Sequence, residues 1–303
     1  MAKLTRQRVI NYARWYPFIL IPFVGTIVFN IYPLLNTLMQ SFYNMAWKFN
    51  GILNYKALFI DYLFKISFKN TILMGLWGLG LNIPFAFIAA YALNNVIRGR
   101  KVYQTILLLP MIVSIAGAAM LFSSVIFPPT ASGIANAFLG LFGVKPLTWY
   151  NDTKLIPPMV SFLGVWRGIN FNIIIIYAGL QAVPVTHYEA AELEGVSEIQ
   201  KIYYVVLPGI RNIMVFVWIN SCMSIFRRFA EVFSLMGNNA QPLEQYWTMM
   251  FYIYQKSFST IFPKEWGLAS AGSMVLFLII MGVTVVNYLL SEDRGVLRGE
   301  RND

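Results

Sequence analysis

Three arginines and one glutamate stand inside stretches of this sequence that are otherwise apolar. Arg167 lies in one stretch, and Arg227, Arg228 and Glu231 lie together in a later one. A charge inside a membrane helix costs about 2.5–3.5 kcal/mol on insertion scales, so such residues usually face a cavity or a partner. A guanidinium binds a carboxylate through paired hydrogen bonds. The four residues predict either a site for an anionic solute, or an internal ion pair between Glu231 and Arg227 or Arg228 at helical spacing.

Residue types that perform covalent or metal chemistry are scarce. The chain has one cysteine, Cys222, and one histidine, His187, and neither has companions at metal-ligand spacing. The apolar stretches contain no Ser/His pair and no His-x-x-x-His cluster, and no Gly-x-x-x-x-Gly-Lys-Ser/Thr phosphate loop occurs anywhere. We therefore expect no catalytic residue, no metal ligand and no cofactor bound by this chain.

The apolar stretches define the fold class. Hydrophobic residues make up 58% of the chain and charged residues 12%, against about 25% charged in a soluble domain. A spanning helix needs roughly 20 apolar residues, and lipid favours helices because each one satisfies its own backbone. The stretches do not alternate as barrel strands do. We predict an all-α membrane protein, one transmembrane domain over residues 1–303, with six transmembrane helices at residues 17–42, 70–96, 103–127, 157–183, 213–235 and 267–290.

The distribution of Lys and Arg predicts the orientation. One set of loops and termini is richer in these residues, with compact clusters at Lys3, Arg6, Arg8 and Arg14 and at residues 98–101. By the positive-inside rule this set is cytoplasmic, so we expect a multi-pass protein of the bacterial inner membrane with both termini in the cytoplasm. The net charge of +10 does not indicate nucleic-acid binding, because the basic residues flank apolar stretches and form no single patch.

The longest predicted cytoplasmic loop, residues 184–212, reads as two short helices outside the lipid. Thr186 is predicted to cap the first helix, with Glu189 in its first turn, where negative charge suits the helix dipole. Ser197 is predicted to cap the second helix and Pro208 to end it. Small residues in the first helix and the following turn leave a shallow face that another protein could approach closely.

This loop resembles the EAA loop of ABC importer permeases. That pattern is Glu-Ala-Ala, three residues, Gly, nine residues, Ile or Val, one residue, and Leu-Pro. The matching residues here are Glu189, Ala190, Ala191, Gly195, Val205, Leu207 and Pro208. Shorter matches along almost the whole chain resemble the carbohydrate branch of that family, among them Asn54-Tyr55, Asn70-Thr71, Leu109-Pro110, Trp166 and Gly179-Leu180-Gln181. The chain departs from the family pattern at residues 229–231 and 237–242, which bears on the substrate rather than on the family.

The resemblance implies a fold, a function and a set of partners. It implies the type I ABC importer permease fold and half of the translocation pathway of an ATP-driven, binding-protein-dependent oligosaccharide importer. The implied partners are a second permease, two ATPase subunits that bind ATP and Mg²⁺, a periplasmic or surface-tethered binding protein, membrane lipid and an oligosaccharide. The implied ATPase-coupling residues are Glu189, Ala190, Ala191, Gly195, Leu207 and Pro208.

The resemblance also implies where the substrate pathway lies. When the sequence is aligned without gaps on the maltose permeases of that branch, their sugar-contacting positions fall on Gly164, Gly168, Ser221, Ile225 and Arg228. The last three have i, i+4, i+7 spacing and are predicted to share one helix face. We add the adjoining Arg167 and Arg227 to the predicted pathway. The arginines favour an acidic oligosaccharide, such as a uronate oligomer derived from alginate.

Two other classes of function fit the sequence less well than the importer. An ion-coupled secondary transporter requires an intramembrane carboxylate, and Glu231 is the one candidate in the sequence. That class leaves the EAA-like loop unexplained. An intramembrane enzyme requires catalytic side chains that the apolar stretches lack. Intramembrane asparagines such as Asn82, Asn170, Asn172 and Asn220 are interpreted as packing contacts between helices.

Overall fold

The described part of the chain is helical. A computed structural model describes residues 16–96, 98–236, 243–259 and 263–299, and within these ranges the β structure is an isolated bridge between Tyr43 and Phe49. The helices are α1 Tyr16–Thr26, α2 Tyr32–Gln40, α3 Leu53–Ile60, α4 Tyr62–Asn95, α5 Arg100–Ile112, α6 Ile115–Leu121, α7 Ile134–Gly140, α8 Ile156–Ala182, α9 Val185–Leu193, α10 Glu198–Lys201, α11 Leu207–Gly209, α12 Arg211–Phe226, α13 Ala230–Met236, α14 Met249–Phe258 and α15 Trp266–Gly299. Single π-helical turns follow α1, α6 and α10 at Ile27–Ile31, Phe122–Ile126 and Ile202–Val206. The predicted N-terminal basic cluster and the 237–242 departure lie outside the described residues.

Four to six of these elements are long and apolar enough to cross a membrane. Four continuous spans are Phe18–Gln40, Tyr62–Asn95, Ile156–Ala182 and Trp266–Leu289. Two bent helix pairs add one span each if a bend is allowed within a span, namely Arg100–Ile112 with Ile115–Ile126 and Glu198–Gly209 with Arg211–Phe226. Each predicted segment overlaps one of the six, so the predicted all-α membrane fold is confirmed.

Two predicted spans are not continuous helices. The segment at 103–127 bends by 97° between α5 and α6, because Val113 is extended and the Ser114 hydroxyl caps α6 by accepting from the N–H of Gly117. The segment at 213–235 is interrupted after Phe226, and helix resumes only at Ala230. Both breaks are specified by local capping and tertiary hydrogen bonds, which the apolar character of a segment does not reveal.

The chain divides into two compact units, and the first comprises residues 1–60 and 253–275. Its hairpin after α2 is held by Asn54, whose Nδ2 donates to the carbonyls of Ser41 at 2.8 Å and Tyr43 at 2.9 Å. Gly267 lies directly against the Tyr43 carbonyl and the Asn54 side chain, where a Cβ would clash. The family-like Asn54-Tyr55 pair is thus part of the folding framework of this unit.

The second unit, residues 61–252 and 276–303, contains the helices that build the site. Helices α4, α8 and α12 enclose a hydrophobic cluster that includes Ala86, Ile176 and Val217, each fully buried. Close approach is possible because Gly75 packs against Ile225 and Gly179 against Ile213.

The segment that begins at Leu243 is fixed to α4 by the family-like Asn70-Thr71 pair. Asn70 Nδ2 donates to the carbonyls of Glu244 and Trp247, and the Thr71 hydroxyl accepts from the N–H of Met249. This segment therefore has a defined position over the end of α4.

The loop between α6 and α8 is organised by one buried amide. Asn136 is 2% exposed. Its Nδ2 donates to the carbonyls of Pro128, Thr130 and Leu147, and its Oδ1 accepts from the Leu147 N–H and the Trp149 indole N–H. The side chain thus ties both flanks of α7 together.

Replacing this amide should destabilise the second unit. Asn136→Ala leaves several buried groups without partners, which costs about 1–3 kcal/mol for each group left unsatisfied. We expect a lower melting temperature of the purified protein in detergent. Asn151→Ala, at an exposed asparagine of the same loop, is the control and should melt like wild type. An unchanged melting temperature for Asn136→Ala would show that the loop is held by other contacts.

Candidate functional site

The second unit contains a cavity of about 420 Å³ between α4, α8 and α12. Six of the seven predicted pathway residues line it, namely Gly164, Gly168, Ser221, Ile225, Arg227 and Arg228. The seventh, Arg167, lies outside this lining, and its Nε is buried without a hydrogen-bond partner in the described structure. Glu231 lines the same cavity, so two arginines face one carboxylate and the lining carries net positive charge.

Arg228 lies at a break in the helix and not on a helix face. Helix α12 ends at Phe226, and the N–H of Arg227 turns back to the Ser224 carbonyl. The Thr248 hydroxyl, buried at 1% exposure, donates to the Arg228 carbonyl at 2.7 Å. A carbonyl bonded by a side chain from another segment is withdrawn from the helical ladder. The prediction that Ser221, Ile225 and Arg228 share one helix face is therefore wrong for Arg228, although all three reach the cavity.

The guanidinium of Arg228 fits between two glycines. Its Nη1 donates to the Val160 carbonyl at 3.2 Å. A Cβ at Gly78 would lie 3.0 Å from Nη2, and a Cβ at Gly164 would lie 3.1 Å from Nη1. Larger residues on α4 and α8 would therefore push the guanidinium out of its position.

The predicted internal ion pair does not form. Among the described residues, no salt bridge joins Glu231 to Arg227 or Arg228. Because Arg228 donates to one carbonyl and a guanidinium has five N–H groups, further donors remain for a group inside the cavity.

The cavity also has polar residues that the sequence analysis assigned to packing. Asn172 Nδ2 donates to Asn82 Oδ1 at 2.5 Å and to Ser221 Oγ at 3.0 Å, which links α8 to α4 and α12. Asn82, Asn172 and Asn220 all line the cavity. The sequence analysis did not predict that α4 lines the cavity. The spacing could have indicated it, because Gly78 and Asn82 are four residues apart in an apolar helix and so share a face.

No metal or cofactor site is evident in the described residues. They contain no group of three or more His, Cys, Asp or Glu side chains that could hold a metal ion. The absence of a bound metal or cofactor stays a prediction.

The predicted cytoplasmic loop, residues 184–212, does fold as a separate pair of short helices. Its first helix, α9, begins at Val185 after Pro184, so the prediction that Thr186 caps it is wrong. Pro184 has no N–H to satisfy and is accommodated just before the helix, which places Glu189 in the second turn. The second helix begins as predicted, with Ser197 and Gln200 forming a capping box.

Pro208 does not end the second helix, which continues to Gly209. The π-helical turn Ile202–Val206 shifts the hydrogen bonding, with the Leu207 N–H donating to the Ile202 carbonyl. The backbone hydrogen bonds of the helix therefore continue up to Pro208, and the helix does not need an N–H donor at that residue. The chain turns only at Ile210, where the axis bends by 78°.

Gly195 ends α9 in a left-handed conformation, with φ +69°. Its N–H donates to the Glu192 carbonyl and the N–H of Val196 donates to the Ala191 carbonyl, the paired bonds of a Schellman motif. A Cβ at Gly195 would meet nothing within 4 Å. The glycine is thus required first by the backbone, and it also leaves open space on the surface.

An ion cluster joins the two short helices to α4. Lys201, 8% exposed, donates to Glu192 at 3.1 Å and to Glu198 at 2.9 Å, while the Tyr91 hydroxyl of α4 donates to Glu198 at 2.8 Å. Beside it, burial raises the pKa of the Tyr188 hydroxyl, which has no hydrogen-bond partner in the described residues. The cluster therefore connects α9 and α10 to α4, which lines the cavity.

The outer face of this loop exposes large apolar side chains among glutamates. Leu193 is 90% exposed and Ile199 80% exposed. Glu189 and Ala190 are also exposed, whereas Ala191 is buried beneath them. Large apolar side chains that are exposed in the isolated chain are available for contact with another protein. The predicted small-residue face is therefore only part of the exposed surface of this loop.

Comparisons with known proteins agree with this architecture. A family model described as "binding-protein-dependent transport system inner membrane component" matches residues 82–293. The chain is 30% identical to the arabinooligosaccharides transport system permease protein AraP of Bacillus subtilis, over 92% of this chain and 88% of AraP. It is 26% identical to the sn-glycerol-3-phosphate permease protein UgpA of Pectobacterium atrosepticum, over 95% and 98% of the two chains. It is also 26% identical to the lactose permease protein LacF of Rhizobium radiobacter, over 88% and 90%.

A solved structure has the same fold. The chain superimposes with a TM-score of 0.82 on a chain of a bacterial ABC transporter involved in the import of the acidic polysaccharide alginate. The match covers 95% of this chain and 98% of that chain at 20% sequence identity. At this identity the similarity establishes the fold.

The role of Gly195 can be separated from that of its surface. Asn tolerates the left-handed conformation whereas Leu does not, so Gly195→Asn should preserve the loop and Gly195→Leu should loosen it. Hydrogen exchange of residues 189–201 in the purified protein should be faster in Gly195→Leu and close to wild type in Gly195→Asn. Equal protection in the two variants would show that φ at residue 195 does not hold the loop.

Proposed function

The chain belongs to the family of binding-protein-dependent transport system inner membrane components, and on that premise we propose that it is one permease subunit of an ATP-driven oligosaccharide importer. It is a multi-pass membrane protein of that family, and its relatives are named as permease subunits. The observation that carries the proposal is that one unit holds both a polar cavity among membrane helices and an exposed pair of short helices in the 184–212 loop. The cavity could hold a solute during transport, and the loop could bind an ATPase subunit.

We propose that a second permease completes the pathway and that two separate ATPase subunits bind ATP and Mg²⁺. The ATPase-coupling residues would be Glu189, Ala190, Ala191, Gly195, Leu207 and Pro208. Glu189 and Ala190 offer the contact surface, whereas Gly195 shapes the backbone that presents it. A periplasmic or surface-tethered binding protein would deliver the solute at the opposite side. In this arrangement both termini and the 184–212 loop lie in the cytoplasm.

The proposed cargo is an oligosaccharide that carries carboxylates, such as a uronate oligomer from alginate. AraP is named for arabinooligosaccharides and LacF for lactose, which support a sugar. UgpA is named for sn-glycerol-3-phosphate, an anion, so the family accommodates charge. Arg228 supports an acidic sugar because no salt bridge in the described structure neutralises it and its spare donors face the cavity.

An ion-coupled secondary transporter receives less support. Glu231 is near two arginines in the same cavity, which suits charge balance as well as ion coupling. That mechanism also gives no role to the exposed 184–212 loop.

The cargo proposal predicts a charge-selective loss of transport. The complex of this permease with its partner permease, ATPases and binding protein is reconstituted into proteoliposomes. Arg228→Asn should lower uptake of uronate oligomers about 10- to 100-fold, because charge-assisted hydrogen bonds contribute about 1.5–3 kcal/mol each. Uptake of neutral oligosaccharides should not fall in parallel.

Arg167→Asn is the matched control, because Arg167 lies outside the cavity lining, and it should leave the acidic-to-neutral ratio unchanged. If Arg228→Asn does not change uronate uptake, the acidic-cargo proposal is wrong. If the wild-type complex imports no oligosaccharide, or if no ATPase co-purifies with it, the importer proposal itself is wrong.

A further inference from the structure

Helix α4 presents a face to the cavity that includes Gly78 and Asn82. The two residues are one helical turn apart, about 6 Å along the axis. Gly78 lies against Nη2 of Arg228. Asn82 therefore lies one turn beyond the point where α4 meets the arginine, a separation similar to the width of one sugar ring.

The Asn82 amide is hydrogen-bonded to the protein through its oxygen. Its Oδ1 accepts from Nδ2 of Asn172, whose amide also donates to Ser221 Oγ. Across the described residues, no protein group accepts a hydrogen bond from Nδ2 of Asn82, and the side chain lines the cavity. The contact between helices thus uses the acceptor of this side chain and leaves its two N–H donors available.

We propose that Asn82 is a specificity-determining residue whose amide N–H groups donate to an oxygen of the oligosaccharide. This inference rests on the proposed function. A packing role alone would need only the Oδ1 acceptor, and it gives no reason for two donors inside a polar cavity. Hydroxyl, ring and carboxylate oxygens of a sugar are suitable acceptors.

The position of Asn82 next to Arg228 defines the solute chemistry more closely. A single sugar unit can place its carboxylate at the guanidinium and another oxygen at the amide one turn away. A site built to hydrogen-bond a substrate rejects analogues that leave its polar groups unpaired. Asn82 would therefore select among acidic sugars by the position of an acceptor oxygen, while Arg228 selects for the charge.

The substitution Asn82→Asp separates the two roles. The carboxylate keeps an acceptor for Asn172, so the link between α4 and α8 survives, but it removes both donors. The new carboxylate also carries a negative charge into the cavity that holds Arg228, so a packing role predicts only the loss of uptake that this charge causes by itself. The proposal predicts at least a tenfold rise in the half-saturating concentration for uptake of uronate oligomers by the reconstituted complex, with the melting temperature unchanged.

Asn220→Asp, which places the same charge in the same cavity, is the control. Charge repulsion alone would raise the half-saturating concentration equally in the two variants, and that result would refute the role of Asn82, whereas the proposal predicts a larger rise for Asn82→Asp. Asn82→Leu removes donors and acceptor together, so it should lower both uptake and melting temperature. If Asn82→Asp transports uronate oligomers with wild-type half-saturation while Arg228→Asn does not, the role of Asn82 is refuted and the proposed function stands. If the wild-type complex takes up no oligosaccharide, the proposed function fails instead.

Discussion

The structure of the second unit depends on accommodating one guanidinium among membrane helices. An arginine there is costly unless it gains partners, and Arg228 gains them from three directions. The Val160 carbonyl accepts one of its hydrogen bonds, Gly78 and Gly164 provide the space, and Thr248 holds its backbone outside the helix. The break in the fifth span and the glycines on two other helices leave room for this side chain, and the segment after Leu243, which Asn70 and Thr71 hold on α4, supplies Thr248.

The loop at 184–212 is shaped by a second set of local constraints. The positive φ of Gly195 stops α9, the π-helical turn carries the second helix past Pro208, and Lys201 ties both helices to Glu192 and Glu198. The bond from Tyr91 to Glu198 connects this cluster to α4. Since α4 also lines the cavity, one helix contacts both the proposed coupling loop and the proposed solute site.

Much of this arrangement is predictable from sequence, and each failure has a physical cause. Hydropathy identifies the six apolar segments, and the spacing from Glu189 to Pro208 identifies the loop. The break after Phe226 could not be predicted, because Thr248, which withdraws the Arg228 carbonyl from the helix, lies in a different segment. Arg167 was grouped with the cavity because of its neighbours in sequence, yet adjacent helical residues point in different directions. Asn82 was interpreted as packing because a sequence cannot show that only one side of an amide is occupied.

The central claim is that the cavity among α4, α8 and α12 is where the solute passes. The most direct test is an electron cryo-microscopy structure of the assembled complex, stalled with ATP and supplied with binding protein and a uronate oligomer. Our account predicts density for a sugar unit in contact with Arg228 and within hydrogen-bonding distance of Asn82, with the 184–212 loop seated on an ATPase subunit. Sugar density at a different site in this chain, or an ATPase docked away from that loop, would contradict it.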